Sequence, residues 1–145
     1  MKPIKPLQAG DIIFTDHILI RHYGVYAGKG RVIHYAGENG IFDANIGIRE
    51  ISLEQFAKDG KYGVLQFTGK LTGVNHFSGK ETVRRARSRI GERSYNLIFN
   101  NCEHFALWCK TGKSNSRQVE RAIATTIVLG TIAVAVHLMK SNDEG

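Results

Sequence analysis

Cys102 is the residue whose chemistry follows most directly from its neighbours. It lies in the segment Asn100-Asn101-Cys102-Glu103-His104-Phe105, where two polar residues precede the thiol. We predict that the asparagines cap a helix and place Cys102 in its first turn, where the helix dipole and free backbone N–H groups stabilise a thiolate. The same N–H groups are candidate oxyanion donors, with Asn101 and Glu103 as the near-site residues. The segment therefore predicts a nucleophilic cysteine.

The base for this thiol must come from elsewhere in the chain. His104 is close in sequence, but residues two apart on a helix point in nearly opposite directions. A predicted β-hairpin offers better candidates. A three-residue loop at Gly28-Lys29-Gly30 pairs the residues on either side of it and places Gly24 opposite His34. His22 then lies diagonal to His34 on the same face, about 7–8 Å away between backbones, whereas a two-residue loop would place the imidazoles on opposite faces.

Metal-binding and nucleic-acid-binding alternatives have less support. Cys102 and His104 have poor spacing for zinc ligands, and no CxxC motif occurs. The net charge is +7, from 20 basic and 13 acidic side chains, which suits an acidic lipid surface or a nucleic acid. The aromatic residues are not interleaved with the basic ones as they are in nucleic-acid-binding modules. We therefore expect no metal, no other cofactor and no nucleic-acid partner.

The length and the cysteine count indicate the size and environment of the protein. A chain of 145 residues suits one domain. Two turns of helix separate Cys102 from Cys109, which puts their Cα atoms roughly 10 Å apart and beyond the limit of about 7 Å for a disulfide. Cys109, deep inside the predicted helix, fits a buried structural role. Two unpaired thiols favour a reducing compartment.

Hydrophobic patterns and turn residues predict a mixture of strands and helices. Strands are expected at Asp11–Phe14, Tyr23–Ala27, Arg31–Tyr35, Ile48–Ile51 and Tyr62–Phe67, and helices at Ser52–Lys58, Lys80–Ile90 and Cys102–Lys110.

The segment Ala122–Met139 contains no Asp, Glu, Lys or Arg. As a helix it would span about 27 Å, enough for a short bilayer crossing. Four basic residues precede it closely, whereas only Lys140 follows it. The positive-inside rule then predicts a single-pass C-terminal anchor with the catalytic domain in the cytosol.

The segment Asn101-Cys102-Glu103-His104-Phe105 resembles the cysteine box of the lecithin retinol acyltransferase-like family, which includes the small phospholipase A/acyltransferases, also called HRAS-like suppressors. Other segments resemble the same family: Gly10-Asp11, His22-Tyr23-Gly24-Val25-Tyr26-Ala27-Gly28, Val32-Ile33-His34, Arg85-Ala86, Ile90-Gly91 and Ser116-Arg117-Gln118-Val119.

The resemblance implies an α+β domain with a circularly permuted papain-like fold, in which helices pack on an antiparallel sheet, followed by a C-terminal hydrophobic helix. It implies that Cys102 attacks a phospholipid acyl ester, with His22 as general base and His34 orienting it. Water as acceptor gives phospholipase A1/A2 activity, and an amine or alcohol acceptor gives acyl transfer. Ile20 stands where several small family members carry a tyrosine, so the oxyanion hydroxyl of that tyrosine is absent here.

The expected organisation is a lead-in at residues 1–9, a thiol acyltransferase/phospholipase domain at 10–119, a membrane-anchoring helix at 120–140 and a tail at 141–145. The expected partners are a phospholipid substrate and a membrane. Two alternatives remain open: a papain-like thiol peptidase or amidase, and a catalytically inactive membrane-tethered interaction module. The hydrophobic segment favours a lipid substrate over a soluble peptide, and the intact cysteine and histidines disfavour the inactive module.

Overall fold

The computed structural model describes residues 6–18, 20–40, 43–67, 75–93 and 98–113. Five strands form one sheet in the order β4-β3-β2-β1-β5, and each neighbouring pair is antiparallel. The strands are β1 (Ile12–Asp16), β2 (Arg21–Gly28), β3 (Arg31–Gly37), β4 (Ile46–Ser52) and β5 (Gly63–Val64). The described residues also form the helices α1 (Leu53–Phe56), α2 (Gly79–Ser88) and α3 (Ile98–Thr111). The predicted α+β class and antiparallel sheet are confirmed, while circular permutation remains a prediction.

The hairpin between β2 and β3 differs in detail from the prediction. Its turn contains Lys29 and Gly30, which together with Gly28 have positive φ angles of 54°, 72° and 90°. The predicted three-residue loop is therefore wrong, because Gly28 pairs with Arg31. A bulge between Tyr26 and Gly28 supplies the extra residue instead. The faces of the two strands consequently stay aligned as expected.

The observed ends of the helices and of the last strand agree only in part with the predicted ones. Ser52 caps α1, and its side chain and that of Gln55 form a reciprocal capping box. Helix α3 begins at Ile98, four residues before the predicted start. The prediction that the asparagines cap this helix is therefore wrong, since Asn101 lies inside it and Cys102 falls in its second turn. The predicted strand at Tyr62–Phe67 is reduced to the two residues of β5.

The sheet buries apolar residues on both faces, as the alternation of side chains along a strand requires. On one face, here called the α3 face, Ile12, Val25 and Ile33 pack against α3 and against Ala86 of α2. On the other, the α1 face, Ile13 and Val32 pack against Phe56 and Ala57. These two faces position different halves of the candidate site.

The predicted anchor Ala122–Met139 lies outside the described residues. Within the described ranges, no helix has both the length and the apolar character that crossing a membrane requires.

Candidate active site

Two buried histidines form a hydrogen-bonded pair on the α1 face. Nε2 of His22 lies 2.9 Å from Nδ1 of His34, and the side chains are 1% and 6% exposed. His34 is the cross-strand partner of Gly24, as predicted, and His22 lies diagonal to it. The predicted placement of both imidazoles on one face of the hairpin is thus confirmed.

Phe56 of α1 packs against both imidazole rings. Its ring centroid lies 5.3 Å from that of His22 and 5.9 Å from that of His34. Gly24 makes room for this ring, because a Cβ atom there would lie 2.9 Å from Cε2 of Phe56 and 2.7 Å from Cγ1 of Val32. The pair is therefore enclosed by apolar side chains on the α1 face.

Burial keeps both imidazoles neutral at physiological pH. Desolvation lowers the pKa of His22 well below 6.5, and the neighbouring His34 and His17 lower it further. Desolvation, followed by the charge of Arg49, lowers the pKa of His34 to about 4. A neutral imidazole has one nitrogen that accepts a proton, as a general base requires.

The remaining ring nitrogens of the pair are Nδ1 of His22 and Nε2 of His34. Both are buried and have no hydrogen-bond partner among the described residues. Since the His22–His34 bond uses one proton, the pair has two arrangements. In one of them, His22 donates through Nε2 and His34 carries its own proton on Nε2. Nδ1 of His22 is then an unprotonated nitrogen ready to accept a proton.

Cys102 belongs to the apolar cluster on the α3 face. Its side chain is fully buried, and the thiol donates a long hydrogen bond to the carbonyl of Arg21, with an S···O distance of 3.9 Å. The ladder between β2 and β3 stops at the Gly24–His34 pair, although β2 continues back to Arg21. The thiol therefore meets the backbone of β2 beyond the end of this ladder, one residue from His22.

The electrostatics of Cys102 differ from the prediction. Burial raises the pKa of its thiol, and the backbone N–H groups of Tyr23 and Glu103 only partly oppose this effect. The predicted lowering of the thiol pKa by the helix terminus is wrong, because dipole effects are concentrated in the first turn and Cys102 lies in the second. Cys109 is also buried, which raises its pKa to about 12, and both cysteines are free as predicted.

The structure therefore assembles the predicted site only in part. It joins His22 to His34, but neither imidazole hydrogen-bonds to Cys102, whose thiol contacts the Arg21 carbonyl instead. Asn101 and Glu103 flank the thiol in α3 and are half-buried, as is His104. The backbone N–H groups without an intrahelical partner belong to the first turn of a helix. In α3 these groups precede Asn101, so they do not lie at Cys102, where the prediction placed them.

Two neighbours of the site were not anticipated from the sequence. Tyr23 lies beside Cys102 on the α3 face, and burial followed by the charge of Glu103 raises the pKa of its phenol to about 12. The alternation of β2 already places Tyr23 on the face opposite His22, so this neighbour was recoverable from the pattern. Phe56 carried no such signal, because its contact with the histidines depends on how α1 folds back onto the sheet. No group of three or more His, Cys, Asp or Glu side chains is placed to hold a metal ion within the described ranges.

A helix-borne cysteine that contacts the strand of a buried imidazole pair is a candidate site for thiol chemistry. The sequence profile of the lecithin retinol acyltransferase family matches residues 5–115, and the chain belongs to this family. It is 27% identical to lecithin retinol acyltransferase of Mus musculus over 151 residues, which cover 87% of this chain but 64% of the mouse protein.

The chain is also similar to shorter relatives over most of their length. It is 28% identical to phospholipase A and acyltransferase 3 of Mus musculus, with 96% of this chain and 92% of the relative covered. It is 26% identical to phospholipase A and acyltransferase 4 of Homo sapiens, with 92% and 89% covered.

Proposed function

We propose that the chain is a thiol phospholipase A/acyltransferase, which transfers an acyl chain from a glycerophospholipid to Cys102 and then to water or to an amine or alcohol. The observation that carries the proposal is the buried His22–His34 pair. Nδ1 of His22 has no hydrogen-bond partner among the described residues, and His22 directly follows Arg21, whose carbonyl contacts the Cys102 thiol. Family membership and the names of the relatives support the choice of an acyl ester as substrate.

In the proposed reaction, Nδ1 of His22 accepts the thiol proton while the sulfur attacks the ester carbonyl. The resulting imidazolium still donates through Nε2 to Nδ1 of His34, which holds the ring in place and spreads its charge. Collapse of the tetrahedral intermediate leaves a thioester on Cys102 and transfers the proton to the departing alkoxide of the lysophospholipid. His22 then deprotonates water or another acceptor, which releases the acyl chain.

This mechanism requires the thiol to exchange its contact with the Arg21 carbonyl for one with Nδ1 of His22. Catalytic hydrogen bonds are often absent or long without substrate and tighten in the reactive complex. The thiolate is needed only when substrate is bound, so the raised pKa of Cys102 in the free protein is compatible with activation of the thiol by a general base. Asn101 and Glu103 remain proposed near-site residues.

The decisive experiment traps the acyl-enzyme. Purified protein is incubated with phosphatidylcholine carrying a labelled acyl chain, and the modified peptide is identified by mass spectrometry. We expect the label on Cys102 as a hydroxylamine-sensitive thioester, and none in Cys102→Ser. Cys109→Ser is the matched control, because it removes a buried thiol of the same helix and should keep most activity. A label on Cys109, or unchanged turnover by Cys102→Ser, would contradict the proposed mechanism.

The same experiment separates the alternatives. Turnover of a peptide or amide through Cys102 without turnover of phospholipid would indicate a thiol peptidase or amidase. A folded protein that forms no covalent intermediate with either substrate would indicate an inactive interaction module.

We further propose that residues 10–119 form the working domain and that 120–140 anchor it with the domain in the cytosol and 141–145 across the membrane. The support is the uncharged stretch from Ala122 to Met139 and the basic residues before it. Deletion from Ala122 onward should abolish sedimentation with membranes while activity on detergent-dispersed short-chain phospholipid persists. A folded deletion variant that still sediments and works undiminished on membranes would exclude the anchor.

A further inference from the structure

Phe56 is placed where it can control the histidine pair without taking part in the chemistry. Its ring contacts both imidazoles, at 5.3 and 5.9 Å between centroids, and it is 6% exposed. The helix that carries it contains only four residues, yet its N-terminal end is held by two sets of hydrogen bonds. Ser52 and Gln55 form its capping box, and the amide of Leu53 donates to the carbonyl of Gly30 in the hairpin turn, at 2.8 Å.

The strand beneath the ring is shaped to receive it. Gly24 lies opposite His34, and a Cβ atom at this position would approach Cε2 of Phe56 to 2.9 Å and Cζ to 3.3 Å. Real Cβ atoms essentially never approach within 3.0 Å, so any other residue at this position would force the ring to shift, together with Cγ1 of Val32, which would lie 2.7 Å away. The glycine therefore lets one aromatic ring reach both imidazoles across the β2–β3 hairpin.

We propose that Phe56 is a positioning residue for the proposed catalytic imidazoles, which fixes the His22–His34 geometry and excludes water from both rings, and that Gly24 provides the space for it. The inference rests on the proposed function of this pair as the base for Cys102. The burial that lowers the pKa of both histidines is consistent with this role. Two charged or titratable side chains also face the pair: His17, whose ring centroid is 6.4 Å from that of His22, and Arg49, whose charge acts on His34.

The consequence is a specific change in pH dependence. If a smaller residue replaces Phe56, water reaches the imidazoles, and desolvation no longer disfavours their protonated forms. The pKa of the base then rises toward its ordinary value, and the acidic limb of the kcat/KM profile moves to higher pH. Looser positioning of His22 should also lower kcat by about tenfold or more.

The test compares Phe56→Leu, Phe56→Met and Gly24→Ala with the unsubstituted protein in two assays. NMR titration of the histidine Cε1–H signals reports the protonation of the pair directly. The pH profile of kcat/KM on dihexanoyl phosphatidylcholine reports its use as a base. We expect Phe56→Leu to raise the titration midpoint and move the acidic limb in the same direction. Phe56→Met, which keeps a long apolar side chain, should restore part of both properties.

Gly24→Ala displaces the ring without deleting it and should act in the same direction as Phe56→Leu. Leu53→Ala is the matched control, because Leu53 belongs to the same helix and packs on the same apolar cluster as Phe56. Leu53→Ala should lower the free energy of unfolding but should change neither the midpoint of the histidine titration nor the acidic limb of the kcat/KM profile. If Phe56→Leu does not fold, Phe56→Met and Gly24→Ala carry the comparison. Unchanged histidine titration in folded variants would overturn the inference, whereas failure of the native protein to acylate Cys102 would overturn the proposed function alone.

Discussion

Replacement of His34 by glutamine should make the protein less sensitive to acid. His34 is 6% exposed, and burial with the nearby charge of Arg49 lowers its pKa from 6.5 to about 4 in the folded state. Between these two values the unfolded chain binds a proton at this position and the folded chain does not. Proton binding therefore stabilises the unfolded state as pH falls, so the stability present above about pH 6.5 is lost progressively toward pH 4.

The size of the effect follows from the pKa difference. One pH unit between the two protonation equilibria corresponds to about 1.4 kcal/mol. A fall from pH 7 to pH 4.5 should then lower the free energy of unfolding by roughly 2.5 kcal/mol through His34 alone. His22 acts in the same direction and remains in the variant, since its pKa is also lowered chiefly by burial. The difference in slope between the two proteins therefore reports the loss of His34 together with a smaller change at His22, whose pKa His34 also lowers.

The measurement is urea denaturation followed by circular dichroism at several pH values from 7.5 to 4.5. The comparison uses the change with pH, because His34→Gln also alters the absolute stability by removing a contact of the pair. His76→Gln is the control for the loss of an imidazole outside the pair, since His76 is exposed. Parallel curves for native protein and His34→Gln would refute the claim that burial holds His34 neutral.

Three further predictions concern stability and thiol access. Gly10→Ala should destabilise the protein by about 2 kcal/mol or more, measured by urea denaturation, because Gly10 has a φ of +95° and an added Cβ would lie 2.2 Å from Cα of Gly79; an unchanged midpoint would contradict this close approach. Ser52→Ala should cost about 1 kcal/mol by removing the cap of α1, and no loss would show that the cap is not needed. Cys102 should react with iodoacetamide at neutral pH at least about tenfold more slowly than a free cysteine, because its thiol is fully buried and its pKa is raised. Mass spectrometry measures the alkylation rate, and rapid alkylation of Cys102 would exclude this buried arrangement.

The histidine pair was predictable because it depends mainly on short-range rules. Glycines at the turn predict a hairpin, and the strand alternation then places His22 and His34 on one face. The register survived an error in the turn, since the bulge beside Gly28 compensates for the shorter loop. Sequence patterns do not distinguish a three-residue loop from a two-residue turn with a bulge.

The surroundings of Cys102 were less predictable because they depend on where α3 begins and how it meets the sheet. Two asparagines suggested a helix start, but a polar pair inside a helix gives the same local pattern. A shift of four residues moves the thiol from free amides into the second turn and replaces an exposed, activated environment with a buried one. The contact with the Arg21 carbonyl joins residues 81 positions apart, a separation over which no sequence periodicity operates.

These findings make β2 the element that joins the two halves of the candidate site. Successive residues of this strand serve opposite faces: His22 lies with Phe56 on the α1 face, and Tyr23 lies with Cys102 on the α3 face. A continuous ladder between β2 and β3 would engage the Arg21 carbonyl with a backbone donor of β3. Because the ladder ends at Gly24, the Arg21 carbonyl can accept from Cys102 instead. The end of the ladder thus lets a cysteine on one face contact the strand residue next to a histidine of the other face. The proposed acyl transfer requires the two side chains to come closer still.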